Sequence, residues 1–148
     1  MQSSHTPPKK ILVANDFSEN AVKAIDFAAD LAARYGASLT ILHVYEVPGF
    51  HLPEGFVPEE HEAAKLRKEV ERALQRDSER ARAFGVSDIE VLAVGDRPYN
   101  AILKTAEGGH FDLLVMGYHG QSGIRRALIG SVTEKVLRVA PCPVLTVL

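Results

Sequence analysis

Four glycines and a serine hold the most informative spacing in the sequence. Gly117, Gly120 and Gly123 follow the apolar run Asp112-Leu113-Leu114-Val115-Met116, and Gly130-Ser131 then opens a stretch with a helical pattern. Glycine after a strand lets the main chain turn sharply and approach a ligand, because no Cβ intervenes. A helix start presents N–H groups without intrahelical partners and the positive end of a dipole, so it favours an anion. Strand, glycine loop and helix N-terminus together describe a phosphate cradle. A plain structural reading stands beside it: Ser131-Val132-Thr133-Glu134 spells an S-x-x-E capping box that requires no ligand. Neither G-x-x-x-x-G-K-[ST] nor G-x-G-x-x-G occurs in the chain.

The elements that position this stretch alternate. Lys10–Asn15 reads as a first strand with Ile11-Leu12-Val13-Ala14 buried, and Ser18 as the N-cap of a helix reaching about Tyr35, where Gly36 stops it. Ser38–Tyr45 is a second, β-rich strand. Residues 46–58, with three prolines and two glycines, form a loop. A charged helix follows from about Glu59 to Phe84, with an apolar stripe of Ala63, Leu66, Val70, Ala73, Leu74, Ala81 and Phe84; its many charges read as a solvated face with i,i+4 pairs. Ile89–Val94 is a third strand, Tyr99–Glu107 a third helix, Asp112–Met116 a fourth strand, Ser131–Val139 a fourth helix and Val144–Leu148 a last strand. Such alternation predicts an α/β fold, a doubly wound parallel sheet joined by right-handed crossovers. Ligands in such sheets lie beyond the carboxyl ends of the strands at the switch point, here where the first and fourth strands meet.

Composition narrows the function. At 148 residues the chain is expected to form one domain, 10–148, behind a flexible tail, 1–9. It is 46% hydrophobic and 24% charged, as ordinary globular proteins are. A formal net charge of −2 provides no basic field for nucleic acid or an anionic membrane. No apolar run approaches the roughly 20 residues that span a bilayer, and the polar start MQSSHTPPKK does not read as a signal peptide, so none is expected. The single Cys142 fits a reducing compartment, so the cytoplasm is expected. The six histidines show no paired zinc spacing.

Several residues near the switch point admit two readings. Asp16, just past the first strand, is either a hydrogen-bond acceptor for the ribose or adenine of a nucleotide or a capping carboxylate of the first helix, with Glu19 three residues on. Ala14, Val44 and Met116 read as core residues, and Ala14 and Met116 also as walls of a base pocket. His119, between two glycines, is placed to bond a phosphate. Arg125 and Arg126 read as solvated and are left outside the site.

Gly117-x-x-Gly120, nine residues, then Gly130-Ser131 is similar to the G-x2-G-x9-G-[ST] pattern of the ATP-binding branch of the universal stress protein family. The words Val115-Met116-Gly117, Gly130-Ser131-Val132-Thr133-Glu134, Ala140-Pro141-Cys142-Pro143-Val144 and Ile11-Leu12-Val13-Ala14-Asn15-Asp16-Phe17-Ser18 also resemble that family, over nearly the whole chain. The resemblance implies five parallel strands ordered 3-2-1-4-5 with helices on both faces. It implies an adenine nucleotide, ATP or else ADP or AMP, held by Ala14, Asp16, Val44, Met116, Gly117, His119, Gly120, Gly130, Ser131 and Val132, with Asp16 contacting the nucleotide and the Val44 backbone meeting adenine. Any Mg²⁺ would be held mainly by the phosphates and water. It also implies a homodimer through the last strand, which is apolar on both faces at a sheet edge. Tyr118 departs from the family, which often carries a small serine there. The expected protein is a nucleotide-gated regulatory or stress-protective dimer. The alternatives are an interaction module that binds no nucleotide, or an adenylate-forming enzyme, for which no PP-loop-like motif follows the first strand. With no Walker lysine, nucleophile elbow or evident base for activating water, ATP hydrolysis is expected to be slow at most.

Overall fold

A computed structural model describes residues 6–45, 60–119 and 128–148. In chain order the elements are β1 (Lys10–Asn15), α1 (Glu19–Tyr35), β2 (Ser38–Tyr45), α2 (Glu60–Arg82), β3 (Ile89–Gly95), α3 (Pro98–Gly108), β4 (Leu113–Gly117), α4 (Ser131–Val139) and β5 (Val144–Val147). The strands form one parallel sheet ordered β3-β2-β1-β4-β5. The order runs outward from β1 in both directions, so the C-terminal rim of β1 and β4 is the switch point.

The two sides of the sheet follow from the strand period of two. Ile11 and Val13 of β1 pack with Ile25 and Ala28 of α1 and with Val70 and Leu74 of α2. Leu12, between them, faces the other way and packs with Ile102 of α3 and Val136 of α4. Helices therefore cover both faces, and Ile11, Leu12 and Val13 have no exposed surface. That is why this strand reads as an unbroken apolar run.

The local signals act as their chemistry requires. Ser18 Oγ accepts the Ala21 N–H at 3.1 Å and caps α1, while Gly36 closes the helix at φ 64°, in the left-handed region. Pro98 is the first residue of α3, where its missing N–H leaves no bond unmade. Three expectations shift. Asp112, read as part of β4, lies outside it, and its carboxylate accepts the N–H groups of Lys9 and Lys10, both at 2.9 Å. Lys9, read as tail, is thereby fixed, and its carbonyl also accepts the Ser38 N–H at 3.0 Å. On α2 the burying face runs from Val70 to Ala81 and includes Ser78; Leu66 is exposed, and Phe84 falls beyond the helix end at Arg82 and is exposed too. The charges of α2 are not all solvated. Arg80 grips Asp26 of α1 with two bonds, at 2.6 and 2.7 Å. The loop assigned to 46–58 lies outside the described residues.

Candidate functional site

A cavity of about 220 Å³ opens at the rim of β1, β2 and β4. Its apolar walls come from the face of the sheet that α3 and α4 cover. Ala14 of β1, Leu42 and Val44 of β2 and Met116 of β4 line it, and Pro98 and Ile102 of α3 close the other side. The polar part is made by Asp16, by Gly117 and His119 after β4, and by Gly130, Ser131, Val132 and Thr133 at the start of α4. Every residue expected at the site thus lines one cavity except Gly120, which lies outside the described residues together with Gly123, Arg125 and Arg126.

The start of α4 is built for an acceptor. The Gly130 N–H donates to the Tyr118 carbonyl and the Glu134 N–H to the Gly130 carbonyl, both at 2.9 Å. Between them, the N–H groups of Ser131, Val132 and Thr133 meet no acceptor among the described residues. Three donors at the positive end of a helix, opening into a cavity, suit an anion. The capping box is not formed. Gly130, at φ −63° and ψ 147°, is the N-cap, and Ser131 is the first helical residue, one position too late for its hydroxyl to cap the turn. Thr133 Oγ1 instead donates to the Gly117 carbonyl at 2.9 Å and ties α4 to the end of β4.

Asp16 combines its two readings in part. Its Oδ1 accepts the Ser18 N–H at 2.9 Å in a local turn, while Ser18 itself caps α1. The carboxylate therefore shapes the entry to the helix and lines the cavity as well. Gly117 is required by close approach. A Cβ there would sit 3.0 Å from Asn20 Cβ and 3.0 Å from the His119 carbonyl oxygen. Tyr118 does not line the cavity; its ring meets the His119 ring edge-on, with centroids 4.8 Å apart.

Asn15, Ala21, Leu42, Pro98, Ile102 and Thr133 join the lining beyond the residues expected there. Thr133 stands inside the glycine–serine word itself, and Pro98 follows from topology, since α3 must start above the strand rim to cross from β3 to β4. Leu42 and Ile102 carry no signal that separates a cavity wall from core. Among the described residues there is no cluster of three or more histidine, cysteine or acidic side chains that could hold a metal ion.

An open parallel sheet, with a part-apolar cavity at its switch point and N–H donors on the cavity rim, defines a doubly wound α/β protein with a candidate site where such sheets take ligands. The chain belongs to the universal stress protein family, whose sequence profile matches residues 7–147. A universal stress protein of Thermus aquaticus is 37% identical over 139 residues, 94% of this chain and 98% of that one. Among solved structures, a universal stress protein in complex with cAMP is 30% identical, with a TM-score of 0.74 over 96% of this chain and 98% of that one. Universal stress protein UspA from Lactobacillus plantarum shares the fold at a TM-score of 0.84 over 97% of this chain and all of that one (100%), with 24% identity. Among the described residues no helix is long and apolar enough to cross a membrane.

Proposed function

We propose that the chain is an ATP-binding universal stress protein, a cytoplasmic nucleotide-gated regulatory or stress-protective dimer. The observation that carries this is the meeting, in one cavity, of an apolar slot with three N–H groups that meet no acceptor among the described residues. An adenine nucleotide presents the matching pair of surfaces, a planar base and an anionic tail. Ala14, Leu42, Val44, Ile102 and Met116 would enclose the base, with the Val44 main chain reading its edge and Asp16 accepting from ribose or base. Gly117, His119, Gly120, Gly130, Ser131 and Val132 would hold the phosphates, with ADP or AMP occupying the same place. A Mg²⁺ ion would sit mainly on phosphate and water oxygens. The solved relative with cAMP supports the ligand class. The test is to denature the purified protein and identify the released small molecules by mass. ATP, ADP or AMP is the expected result. If none is released and added ATP does not bind, the chain is an interaction module of this fold.

The position of Tyr118 bears on the family's usual serine there. Because the ring lies against His119 and outside the lining, Tyr118→Ser should change the ATP dissociation constant by less than about threefold in calorimetric titration. A larger change would place the ring on the ligand.

The dimer is proposed from the sheet edge. β5 has β4 on one side only, and Leu148, just past its end, is 72% exposed. An apolar edge strand invites pairing, and pairing with the same strand of a second copy satisfies both edges at once. Light scattering should give about twice the 16.1 kDa chain mass at micromolar concentration; a single-chain mass there would remove the dimer from the account.

A further inference from the structure

We propose that Asp77, on α2 and on the opposite face of the sheet from the cavity, is a positioning residue for Asp16, acting through Asn15. The proposal rests on the nucleotide-binding reading and extends it to the regulation of that site's geometry. Asn15, only 4% exposed, ends β1 with its side chain toward α2. Its Nδ2 donates to Asp77 Oδ2 at 2.6 Å, and its Oδ1 accepts the Phe17 N–H at 2.8 Å. A carboxylate can only accept and a main-chain N–H can only donate, so the two bonds select one orientation of the amide. The Asn15 carbonyl lies 2.7 Å from His43 Nδ1, and since a carbonyl only accepts, that nitrogen carries the proton. The Asn15 side chain and main chain are therefore both held from behind the sheet.

What this grip holds is the segment that presents Asp16. Phe17 has φ 61°, a left-handed conformation that a bulky side chain adopts at a cost in strain. Its ring packs on the His43 ring, with centroids 4.1 Å apart, and its N–H is fixed by Asn15. Asp16 lies between Asn15 and Phe17, so its direction is set by two residues that are each pinned on the far side of the sheet. Burial raises the pKa of Asp77 and lowers that of His43, so the fold keeps these groups at a desolvation cost. A well-packed apolar pair would join α2 to the sheet at less cost. The polar grip adds direction, which packing alone does not supply, at the residue next to Asp16. It also joins α2 to the cavity, so a partner or modification that moves α2 would be felt at Asp16.

The test is a double-mutant cycle read by ATP titration of the full-length protein, with denaturant melts to confirm folding. Asp77→Ala removes the acceptor and should weaken ATP binding about tenfold, within the range for coupled neighbouring groups. Asp77→Asn keeps an acceptor oxygen in place and should stay within about threefold of the parent. In an Asp16→Ala background, Asp77→Ala should cost no further affinity, an outcome that a merely structural role would not produce. If Asp77→Ala does not fold, Asn15→Ala serves in its place, with the same expected absence of effect in the Asp16→Ala background. Parent-like ATP binding by the folded variant, or an undiminished loss in that background, overturns the positioning role while the nucleotide reading stands. Failure of the parent to bind ATP overturns both.

Discussion

Replacing Ser131 by Ala should weaken ATP binding by about ten- to one-hundredfold, the loss expected for one hydrogen bond to a charged group. It should leave stability almost unchanged. The asymmetry follows from the start of α4. Were Ser131 the N-cap, its loss would cost about 1 kcal/mol of stability. Gly130 holds that position instead, and Ser131 makes no capping bond. As the first helical residue, Ser131 loses little to alanine in helix propensity, since alanine is the better helix former. Ser131 lines the cavity, where three N–H groups meet no acceptor among the described residues, so the whole effect should fall on the ligand. Titration with ATP and urea melts without nucleotide separate the two quantities. A stability loss near 1 kcal/mol with unchanged affinity would restore the capping role and remove Ser131 from the site.

Gly117→Val should lose both stability and affinity. At this position even the first added carbon would stand 3.0 Å from Asn20 Cβ and from the His119 carbonyl oxygen, and 3.3 Å from the Asn20 carbonyl carbon. Two of these neighbours are backbone, which yields less readily than the end of a flexible side chain. The γ-carbons of valine would force α1 away from the end of β4, and overpacking of this kind costs about 1–3 kcal/mol. The same movement parts Asp16, ahead of α1, from the start of α4, which the Thr133–Gly117 bond holds to β4. ATP affinity should therefore fall at least about tenfold in the folded fraction. The internal control is Gly108→Ala. A Cβ there meets nothing within 4 Å, and the residue lies in the last turn of α3. That change should be neutral or stabilising by up to about 1 kcal/mol, with ATP binding unaltered. Equal urea midpoints for Gly117→Val and the parent would show that the close approach is not tight.

Much of this architecture is legible in the amino-acid sequence alone. A parallel strand covered on both faces shows as a continuous apolar run, so Ile11-Leu12-Val13-Ala14 and Leu113-Leu114-Val115-Met116 declare themselves, while Ser38–Tyr45 does so by its β-rich composition. Ser18 and Gly36 mark the ends of α1 because their chemistry is local. Strand order is different. No residue of β1 records that its neighbours are β2 and β4 and not β3, and the order 3-2-1-4-5 follows only from the family words. The site divides in the same manner. Glycines and a serine at a helix start carry their chemistry in their type and spacing, whereas Leu42 and Ile102 are identical in character to core leucines and isoleucines. The Asn15–Asp77 bond joins residues 62 positions apart, on a helix whose charges read as solvated, and only the folded chain brings them together. Ser131 illustrates a subtler limit. The letters of a capping box are present, but the helix begins one residue too early relative to them, and a shift of one position changes the serine from cap to cavity lining.

The most direct test of the account is an ATP titration followed by the backbone amide signals of the isotope-labelled protein. The amides of Ser131, Val132 and Thr133 should shift strongly as they gain phosphate acceptors, with accompanying shifts at Asp16, Val44 and Gly117. These changes should saturate together with one affinity, while the amides of α2 remote from Asp77 stay in place. No shift at the start of α4 under saturating ATP, or shifts confined to another surface, would contradict it.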